Sequence, residues 1–525
     1  MEKKVVRITI KYIAFFLVGA ILACLAAFVF IFRPYSIGTP PAIPKGWGYG
    51  FSPYFLGDPA TPNPIAEIAP PSHPYLSETG SNNMHVDSYA SDVHSRGGPL
   101  GIDPTVASYA HGPIGGECAS VTFDSNKHIV AVCATFKEFS LVLLDPKTLA
   151  PLAKYSLPPR ASNKSLNLRK IMSDTSGGAY FYLDNSDKAV LVDAMQKLKV
   201  IGQKWKDDKV EFMLHKEYDL LPTLTKHSSP DDVVTAVLPD WSGQYFLFVS
   251  RKGLIGALEK QTGEVNILEL KNEEIQNSFS VDRNGLYVIS DRALYGISLS
   301  EHEQTLTIVW REEYQRAEQD KPGSLTRGSG STPTLLGDSY IAITDNADPR
   351  INVLVYRRDF KDVGNRLVAK TPVFNSGKSA TENTMIGIGK SLIVENNYGY
   401  DLFPTMMFGK TAVGGVARVD FDEKIGEAHT VWKNPIISQT TVPKLSLQNG
   451  LVYVYAKDPN TSWWVDAFYL AAIDFETGET VWQTLTGTGV SYDNNWAPIT
   501  LGEDNSAYIG VLRGLVKVAD GGNAE

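Results

Sequence analysis

Cysteine is scarce in this sequence, with three residues among 525, and basic residues form no cluster beyond the extreme N-terminus. The formal net charge is −9, so the chain lacks the clustered basic face that nucleic-acid binding requires. A phosphate-binding glycine loop is lacking too, because Gly328-Ser329-Gly330-Ser331 has neither the lysine nor the following helix that it needs. No Gly-x-Ser-x-Gly segment is present. These absences argue against nucleic-acid binding, P-loop chemistry and a nucleophile-elbow hydrolase.

The composition is that of an ordinary globular protein. Hydrophobic residues make up 43% of the chain and charged residues 20%, which is enough apolar material for a sizeable core. A length of 525 residues permits several domains, but closed repeat architectures of this size also form single units. We therefore expect one large domain.

A strand-turn-strand unit recurs along the chain and is clearest from Ala472 to Trp482, where it reads Ala-Ile-Asp-Phe-Glu-Thr-Gly-Glu-Thr-Val-Trp. Related units occur at Leu143 to Thr148, at Gly256 to Glu264 and, in weaker form, at Gly415 to Asp422. A period of tens of residues built from short strands and polar turns is typical of a β-propeller. We predict an all-β propeller with seven or eight blades, of which eight is preferred.

Eight segments qualify as the innermost strands of the blades because each is an apolar or β-branched run that follows a turn. They lie near Cys118, Ala179, Val234, Phe279, Pro333, Met385, Leu445 and Pro498. The last period is too short for four strands, so we expect a strand preceding Cys118 to complete its sheet and close the ring. The charged stretch from Lys204 to Asp232 breaks the period and is predicted to be an insertion between strands.

The N-terminus carries a second strong signal, an uncharged run from Tyr12 to Phe32 that has the length of a membrane-spanning helix. Positive charges precede it, which predicts a cytoplasmic N-terminus. They are Lys3, Lys4, Arg7 and Lys11. A cleaved signal peptide or a lipoprotein box at Cys24 are alternatives, but the run is long and stays apolar after Cys24. We therefore predict an uncleaved transmembrane anchor.

Composition divides the chain into three parts. Residues 1–33 form the cytoplasmic tip and the anchor, and residues 34–80 are rich in proline, which predicts an extended spacer. Residues 81–525 contain the repeats and form the predicted propeller.

Two cysteines flank a predicted hairpin whose turn is Asp124 to Lys127. Pairing Phe123 with His128 places Cys118 opposite Cys133. A cross-strand disulfide in an oxidising compartment and two buried free thiols are both compatible with this position.

At the Ala472 to Trp482 unit the sequence resembles the repeat of quinoprotein-type (PQQ-like) propellers. Asp282 to Val288 and Asn449 to Val454 are similar to the strand that opens many such repeats. The superfamily includes quinoprotein alcohol dehydrogenases and the propeller subunit of outer-membrane barrel assembly. The resemblance therefore implies the fold and leaves enzyme and binding platform as alternatives.

Polar residues are predicted to gather at one end of the propeller, where loops leave the second strands and enter the next innermost strands. Three second strands are predicted to end in an acid followed by asparagine. Three entering loops add Glu117, Glu382-Asn383 and Asp493 to Trp496. The ligand-binding candidates are Glu117, Asp184, Asn185, Asp345, Asn346, Glu395, Asn396, Asn495 and Trp496.

Two interpretations of these residues stay open. Carboxylate and amide oxygens are the ligands that calcium prefers, which makes Asp345 and Glu395 metal candidates. Asp and Asn are also the standard residues of tight turns, where they bond the local backbone.

The resemblance implies a further function for these residues, that of a quinoprotein dehydrogenase. There calcium is held against PQQ, and an Asp or Glu carboxylate acts as the general base. Many enzymes of that family carry two adjacent cysteines, whereas no two cysteines are adjacent in this chain. A calcium-dependent lactonase or esterase propeller is a third alternative.

A separate group of residue types suited to zinc, iron or copper precedes the repeats. It consists of His85, Asp87, Asp92 and His94. On a strand each His/Asp pair shares one face, so the two pairs could converge only if the segment turns. Polar residues packed on the propeller are the alternative to a metal site.

The sequence predicts a single-pass membrane protein with its propeller on the periplasmic or extracellular side. Its function is predicted to be a binding platform for an envelope protein or a small polar ligand. A PQQ- and calcium-dependent oxidoreductase is the first alternative, followed by the lactonase or esterase.

Overall fold

The protein is described from a computed structural model that covers most of the chain. The described residues are 18–19, 42–67, 69–112, 116–135, 138–164, 174–300, 305–361, 364–401, 404–405, 408–461 and 465–522. Within these ranges no helix has the length and apolarity needed to cross a bilayer. The predicted anchor from Tyr12 to Phe32, including Cys24, lies outside them except for Val18 and Gly19.

Three strands precede the repeats and later join blades at the other end of the chain. They are β1 (Phe55–Gly57), β2 (Val93–His94) and β3 (Thr105–Ala110). The first six blades follow, each formed by four consecutive strands. Blade 1 contains β4 (Glu117–Phe123), β5 (Ile129–Ala134), β6 (Phe139–Leu144) and β7 (Pro151–Leu157). Blade 2 contains β8 (Tyr182–Leu183), β9 (Ala189–Val192), β10 (Lys197–Lys206) and β11 (Lys209–Asp219), and the helix α1 (Leu221–His227) follows it.

Blades 3 to 6 repeat this pattern. Blade 3 contains β12 (Val234–Pro239), β13 (Tyr245–Ser250), β14 (Leu254–Glu259) and β15 (Val265–Glu269). Blade 4 contains β16 (Ser280–Asp282), β17 (Gly285–Ile289), β18 (Ala293–Ser300) and β19 (Thr305–Glu313). Blade 5 contains β20 (Thr334–Leu336), β21 (Tyr340–Thr344), β22 (Asn352–Arg357) and β23 (Leu367–Pro372). Blade 6 contains β24 (Ile386–Ile388), β25 (Ser391–Glu395), β26 (Val416–Asp422) and β27 (Glu427–Asn434).

The last two blades incorporate the early strands. Blade 7 contains β28 (Lys444–Ser446), β29 (Leu451–Lys457), β30 (Ala467–Asp474) and β31 (Thr480–Thr488), with β1 at its outer edge and β2 at its inner edge. Blade 8 contains β32 (Ile499–Leu501), β33 (Ala507–Val511) and β34 (Gly514–Ala519), and β3 pairs with β34 as its outermost strand. The propeller therefore has eight blades, and the predicted closure by a strand preceding Cys118 is confirmed.

The recurring turn motif has a local physical basis. The Asp474 carboxylate accepts hydrogen bonds from the N–H groups of Glu476 and Thr477 at 3.1 and 2.8 Å, and Gly478 takes a φ of +75°. Asp145 accepts equivalent bonds from Lys147 and Thr148. The motif therefore marks the turn between the third and fourth strands of a blade.

Two local predictions need correction. The stretch from Lys204 to Asp232 is no insertion, because it contains the whole outer strand β11 and the helix α1. Phe123 pairs with Ile129 rather than with His128, so the turn is wider by one residue than predicted. A bulge between Cys118 and Ser120 offsets this shift and returns Cys118 to the position opposite Cys133. The two cysteines are joined by a disulfide.

The described part of the predicted spacer packs against the propeller. Ile43 is buried, β1 pairs with β31, and the N–H of Asn63 donates to the carbonyl of Asn449 in blade 7.

Residues 76–96, here called the axial segment, pass through the centre of the ring. The segment bonds to the innermost strands of successive blades: Ser88 and Tyr89 accept backbone hydrogen bonds from Val281 and Leu335, and Ser91 and Asp92 accept them from Gly387 and Leu445. It also reaches blade 1, where the Thr79 hydroxyl donates to the carbonyl of Phe123. The centre of the propeller is therefore filled by its own chain.

Candidate functional site

The two ends of the propeller carry different loops. The innermost strands begin at one end, here called the upper end, and antiparallel pairing returns each second strand to it. Residues that follow a second strand or precede an innermost strand thus lie at the upper end. Turns between first and second strands lie at the lower end.

Asp184 and Asn185 lie at the lower end, because β8 before them is the innermost strand of its blade. The prediction that they share an end with Asp345 and Glu395 is wrong. The Asp184 carboxylate accepts N–H bonds from Ser186 and Lys188 at 2.8 and 2.9 Å. The sequence pattern indicates a second strand here, but the short strand β8 is the innermost strand of its blade, and the acid that follows it serves the turn.

Asp345 and Asn346 lie at the upper end but also hold a local turn. Asp345 accepts the N–H groups of Ala347 and Asn352 at 3.2 and 2.7 Å and the Asn352 side-chain amide at 2.7 Å. The Asn346 amide donates to the carbonyl of Thr326 at 3.2 Å. The Asp345 oxygens are therefore largely occupied within blade 5.

Blade 6 brings two acids and their amide neighbours together at the upper end. The Asn383 side chain donates to Glu395. Asn397 accepts the N–H of Glu382 at 2.9 Å and donates to the carbonyl of Gln439 at 3.0 Å. Asn396, by contrast, bonds to backbone groups such as the N–H of Ala380 and supports the loop.

Blades 7, 8 and 1 continue this polar arrangement. The Gln439 amide donates to Asp493 at 3.2 Å, and the N–H of Asn495 donates to Glu117 at 2.8 Å. Trp496 takes a φ of +65° and packs edge-on against Tyr400, with ring centroids 5.8 Å apart. A hydrogen-bonded series of amides and carboxyls thus runs along the upper end from blade 6 to blade 1.

Four acids of this series form a group that we call the upper carboxyl cluster. Its members are Glu117, Glu382, Glu395 and Asp493. Burial raises the pKa of Glu117, Glu382 and Glu395 to about 8 each and that of Asp493 to about 7. The nearby guanidinium groups of Arg160 and Arg251 act in the opposite direction on Glu117 and Glu382. The cluster is therefore partly or fully protonated at neutral pH.

A small cavity opens between the cluster and the axial segment. Its walls include Tyr180, Glu382, Asn383 and Trp496, and Met84 and His85 of the axial segment also line it. Its volume is about 20 Å³, which is room for roughly one water molecule.

Several oxygens at this end are buried and make no hydrogen bond of ordinary length and angle with the described residues, although the Ser324 and Ser438 hydroxyls lie near Glu382 and Glu395. These oxygens are Glu382 Oε2, Asn383 Oδ1, Glu395 Oε1, Gln439 Oε1 and Asn495 Oδ1. A buried acceptor left without a donor costs about 1–3 kcal/mol. These atoms are therefore positioned to accept hydrogen bonds from a bound molecule.

The four residues proposed from sequence as a transition-metal group do not converge. His85 Nδ1 lies 3.3 Å from Asp92, whose carboxylate also accepts a bond from Lys444. Asp87 instead accepts the N–H groups of Tyr89 and Ser91, and His94 Nε2 lies 3.4 Å from the N–H of Leu501. The buried ammonium of Lys444 already compensates the Asp92 charge, which disfavours a cation there.

The described residues do not fit the groups that the resemblance implies. No three His, Cys, Asp or Glu side chains are grouped in these ranges as a metal would require. The cavity beside Glu382 has room for about one water, not for a tricyclic quinone, because Met84 and His85 occupy the axis beneath it. We derive no step through PQQ or calcium.

Sequence reasoning placed Glu117, Glu395, Asn495 and Trp496 at one end of the propeller, and the topology has them together at the upper end. Sequence reasoning did not single out Lys444, Gln439 or Arg160, which lie in segments without a repeated signature. The sequence marks them only by where they lie, at or just before the start of an innermost strand or just after the end of an outer strand.

Comparison with known proteins gives few matches in sequence and many in fold. No protein-family model matches the chain. An uncharacterized protein of Archaeoglobus fulgidus is 27% identical over 305 residues, which are 52% of this chain. The aligned region spans 58% of that protein's length.

Two solved structures illustrate the fold. A europium-containing methanol dehydrogenase matches with a TM-score of 0.46 and 11% identity over 82% of this chain and 89% of its own. BamB from Moraxella catarrhalis matches with a TM-score of 0.33 and 13% identity over 65% of this chain and 93% of its own. At such identities the likeness concerns the fold alone, and the chain is an eight-bladed β-propeller by its own topology.

Proposed function

We propose that this protein is a membrane-tethered binding propeller whose upper end takes up a small polar ligand outside the cytoplasm. The proposal rests on buried oxygens that make no hydrogen bond of ordinary geometry, chiefly Glu382 Oε2 and Asn383 Oδ1, whose residues line the cavity. Glu395, to which Asn383 donates, adds Oε1. A ligand of about the size of a water molecule that donates several hydrogen bonds, such as an ammonium ion, would satisfy them.

The chemistry of the cluster favours a donor ligand over an anion. Its amide oxygens and ionised carboxyl oxygens are acceptors. A carboxyl that is protonated in the free protein becomes a full acceptor by releasing its proton when a cationic ligand binds. Tyr180 and Trp496 provide aromatic surface beside them.

Two observations support a location of the propeller outside the cytoplasm. Positive residues precede the apolar run from Tyr12 to Phe32, which favours a cytoplasmic N-terminus and a body on the other side. The disulfide between Cys118 and Cys133 suits an oxidising compartment.

The proposal is tested by native mass spectrometry of the full-length protein in lipid nanodiscs. We expect a small bound mass on the wild type that is lost in Asn383→Ala and kept in Asn185→Ala, a matched change at the lower end. An unchanged thermal unfolding midpoint in Asn383→Ala would show that the loss is local. A wild type without bound mass, or a folded Asn383→Ala variant that keeps it, would overturn the proposal.

The same preparation separates the proposal from an oxidoreductase. Calcium and PQQ are added, and alcohol-dependent dye reduction is measured. We expect none. If the wild type reduces the dye and the Glu395→Gln variant does not, the protein is an oxidoreductase and the proposed binding function is wrong.

A further inference from the structure

An uncharged aromatic segment lies along the outer side of blade 7 and exposes its side chains. Residues 46–57 contain no charged residue. Trp47, Phe51 and Tyr54 are 86%, 94% and 59% exposed. Val465 of the blade itself is 41% exposed, and a Cβ on Gly48 would lie 2.9 Å from its Cβ. We call Trp47, Phe51, Tyr54 and Val465 the aromatic edge.

The backbone beneath these side chains is fixed to the blade. The carbonyl of Trp47 accepts a bond from the Thr488 hydroxyl at 2.8 Å. The carbonyl of Tyr54 accepts the N–H of Leu485 at 2.9 Å, and that of Pro53 accepts the Tyr469 hydroxyl at 3.0 Å. The aromatic side chains are therefore held outward on a bonded backbone, which is unusual for such large apolar groups.

The aromatic edge reaches the upper end of the propeller. Thr488 is the last residue of β31 and Val465 precedes β30, so both lie at the end where outer strands finish and third strands begin. Asp493 of the upper carboxyl cluster is influenced by the charges of Lys457 and Asp466 of the same blade. The edge and the cavity therefore lie at the same end of the propeller.

The position of the aromatic edge along the chain indicates which surface it contacts. The apolar run ends at Phe32, and the chain from there to Trp47 can span at most about 50 Å when fully extended. The edge is thus the part of the propeller closest in sequence to the predicted bilayer. Trp and Tyr favour the interface between headgroups and hydrocarbon, and the absence of charge removes the cost of burying it there.

We propose that the aromatic edge rests on the lipid surface, so that the upper cavity opens beside the bilayer. This inference rests on the membrane tether of the proposed function and adds a fixed orientation to it.

The test uses the full-length protein in nanodiscs of phosphatidylcholine and phosphatidylglycerol. Photoreactive p-benzoylphenylalanine replaces Phe51, Val465 or, as a control, Trp205, which is 41% exposed at the tip of the β10–β11 hairpin, at the lower end of blade 2. Lipid adducts are counted by mass spectrometry after illumination. We expect at least tenfold more lipid adduct at positions 51 and 465 than at 205.

A second variant shows whether the aromatic side chains cause the contact. Trp47→Glu combined with Phe51→Glu should reduce the adduct at position 465 to the level of the control. Equal adducts at 465 and 205, an adduct at 465 that the charged variant keeps, or adducts to a second protein chain would each overturn the inference. Extraction by alkaline carbonate tests the tether separately, because a tethered chain resists it whether or not the edge touches lipid.

Discussion

At the scale of single residues, the upper carboxyl cluster is costly to the fold. Glu382, Glu395 and Asp493 are each less than 10% exposed, and burial disfavours their charged forms. Natural proteins keep such groups where they serve a ligand or a reaction. Asp345, which holds a turn with three hydrogen bonds, shows the structural use of the same residue type.

The raised pKa values predict a stability that falls as pH rises. An acid with a folded pKa near 8 and an unfolded pKa near 4.5 contributes fully below pH 4.5 and loses its contribution as pH approaches 8. Each such carboxyl should cost on the order of 1 kcal/mol per pH unit in this window.

Glu395→Gln should therefore flatten the pH dependence of the unfolding midpoint between pH 5 and 8.5. It should stabilise the protein at the upper pH and change little at the lower one, because glutamine resembles the protonated acid. The exposed Glu479→Gln variant serves as the control. Parallel curves for wild type and Glu395→Gln in urea titrations would contradict the assignment.

At the scale of structural elements, the axial segment replaces what an open propeller would leave as a channel. Only Val93 and His94 of this segment form a strand, yet its backbone bonds to the innermost strands of most blades. The segment also makes a buried ion pair with blade 7, between Asp92 and Lys444, whose side chains are 0% and 1% exposed.

Breaking this pair should destabilise the whole protein. Lys444→Met leaves the Asp92 carboxylate buried beside His85 without its cation, which should cost about 3–5 kcal/mol. Asp92→Asn added to Lys444→Met should recover part of the loss, because no unpaired charge remains. Lys252→Met, which removes an exposed pair with Asp231, should cost less than about 1 kcal/mol. The free energies of unfolding of the wild type and the three variants are measured in urea. Equal losses of stability in Lys444→Met and Lys252→Met would show that the Asp92–Lys444 pair is not important for the fold.

The fold was predictable from the sequence because its turns repeat. The site was not predictable, because it forms where distant chain segments meet. Polar turns such as Asp474 to Gly478 mark blades by local hydrogen bonds, so blade number and closure followed from them. The position of Asp184 was mistaken because β8 is short and its turn looks like the exit of a second strand. The pairing of Asp92 with Lys444 joins residues 352 positions apart, and no local pattern encodes such a contact.

At the scale of the whole molecule, the ring is closed by two chain ends. β3 pairs with β34 from Thr105 opposite Ala519 to Ala110 opposite Gly514. The Asp520 carboxylate accepts the N–H groups of Leu100, Gly101 and Ile102 at 2.8 to 2.9 Å and fastens the return of the chain. Because each blade packs against two neighbours, opening this joint exposes the apolar faces of blades 8 and 1 together.

Val516→Asp tests the importance of this closure. Val516 lies fully buried in β34 between its strand partners Ser108 and Ile509, so the substitution places an unpaired carboxylate in the apolar interior. It should cost at least about 3 kcal/mol and make peptide bonds in blades 8 and 1 sensitive to limited proteolysis at the same time. The matched change Val309→Asp lies on the outer strand β19, where the side chain is 38% exposed, and should cost less than about 1 kcal/mol. If Val516→Asp weakened only blade 8, or no more than Val309→Asp did, the ring would not depend on the joint between its two ends.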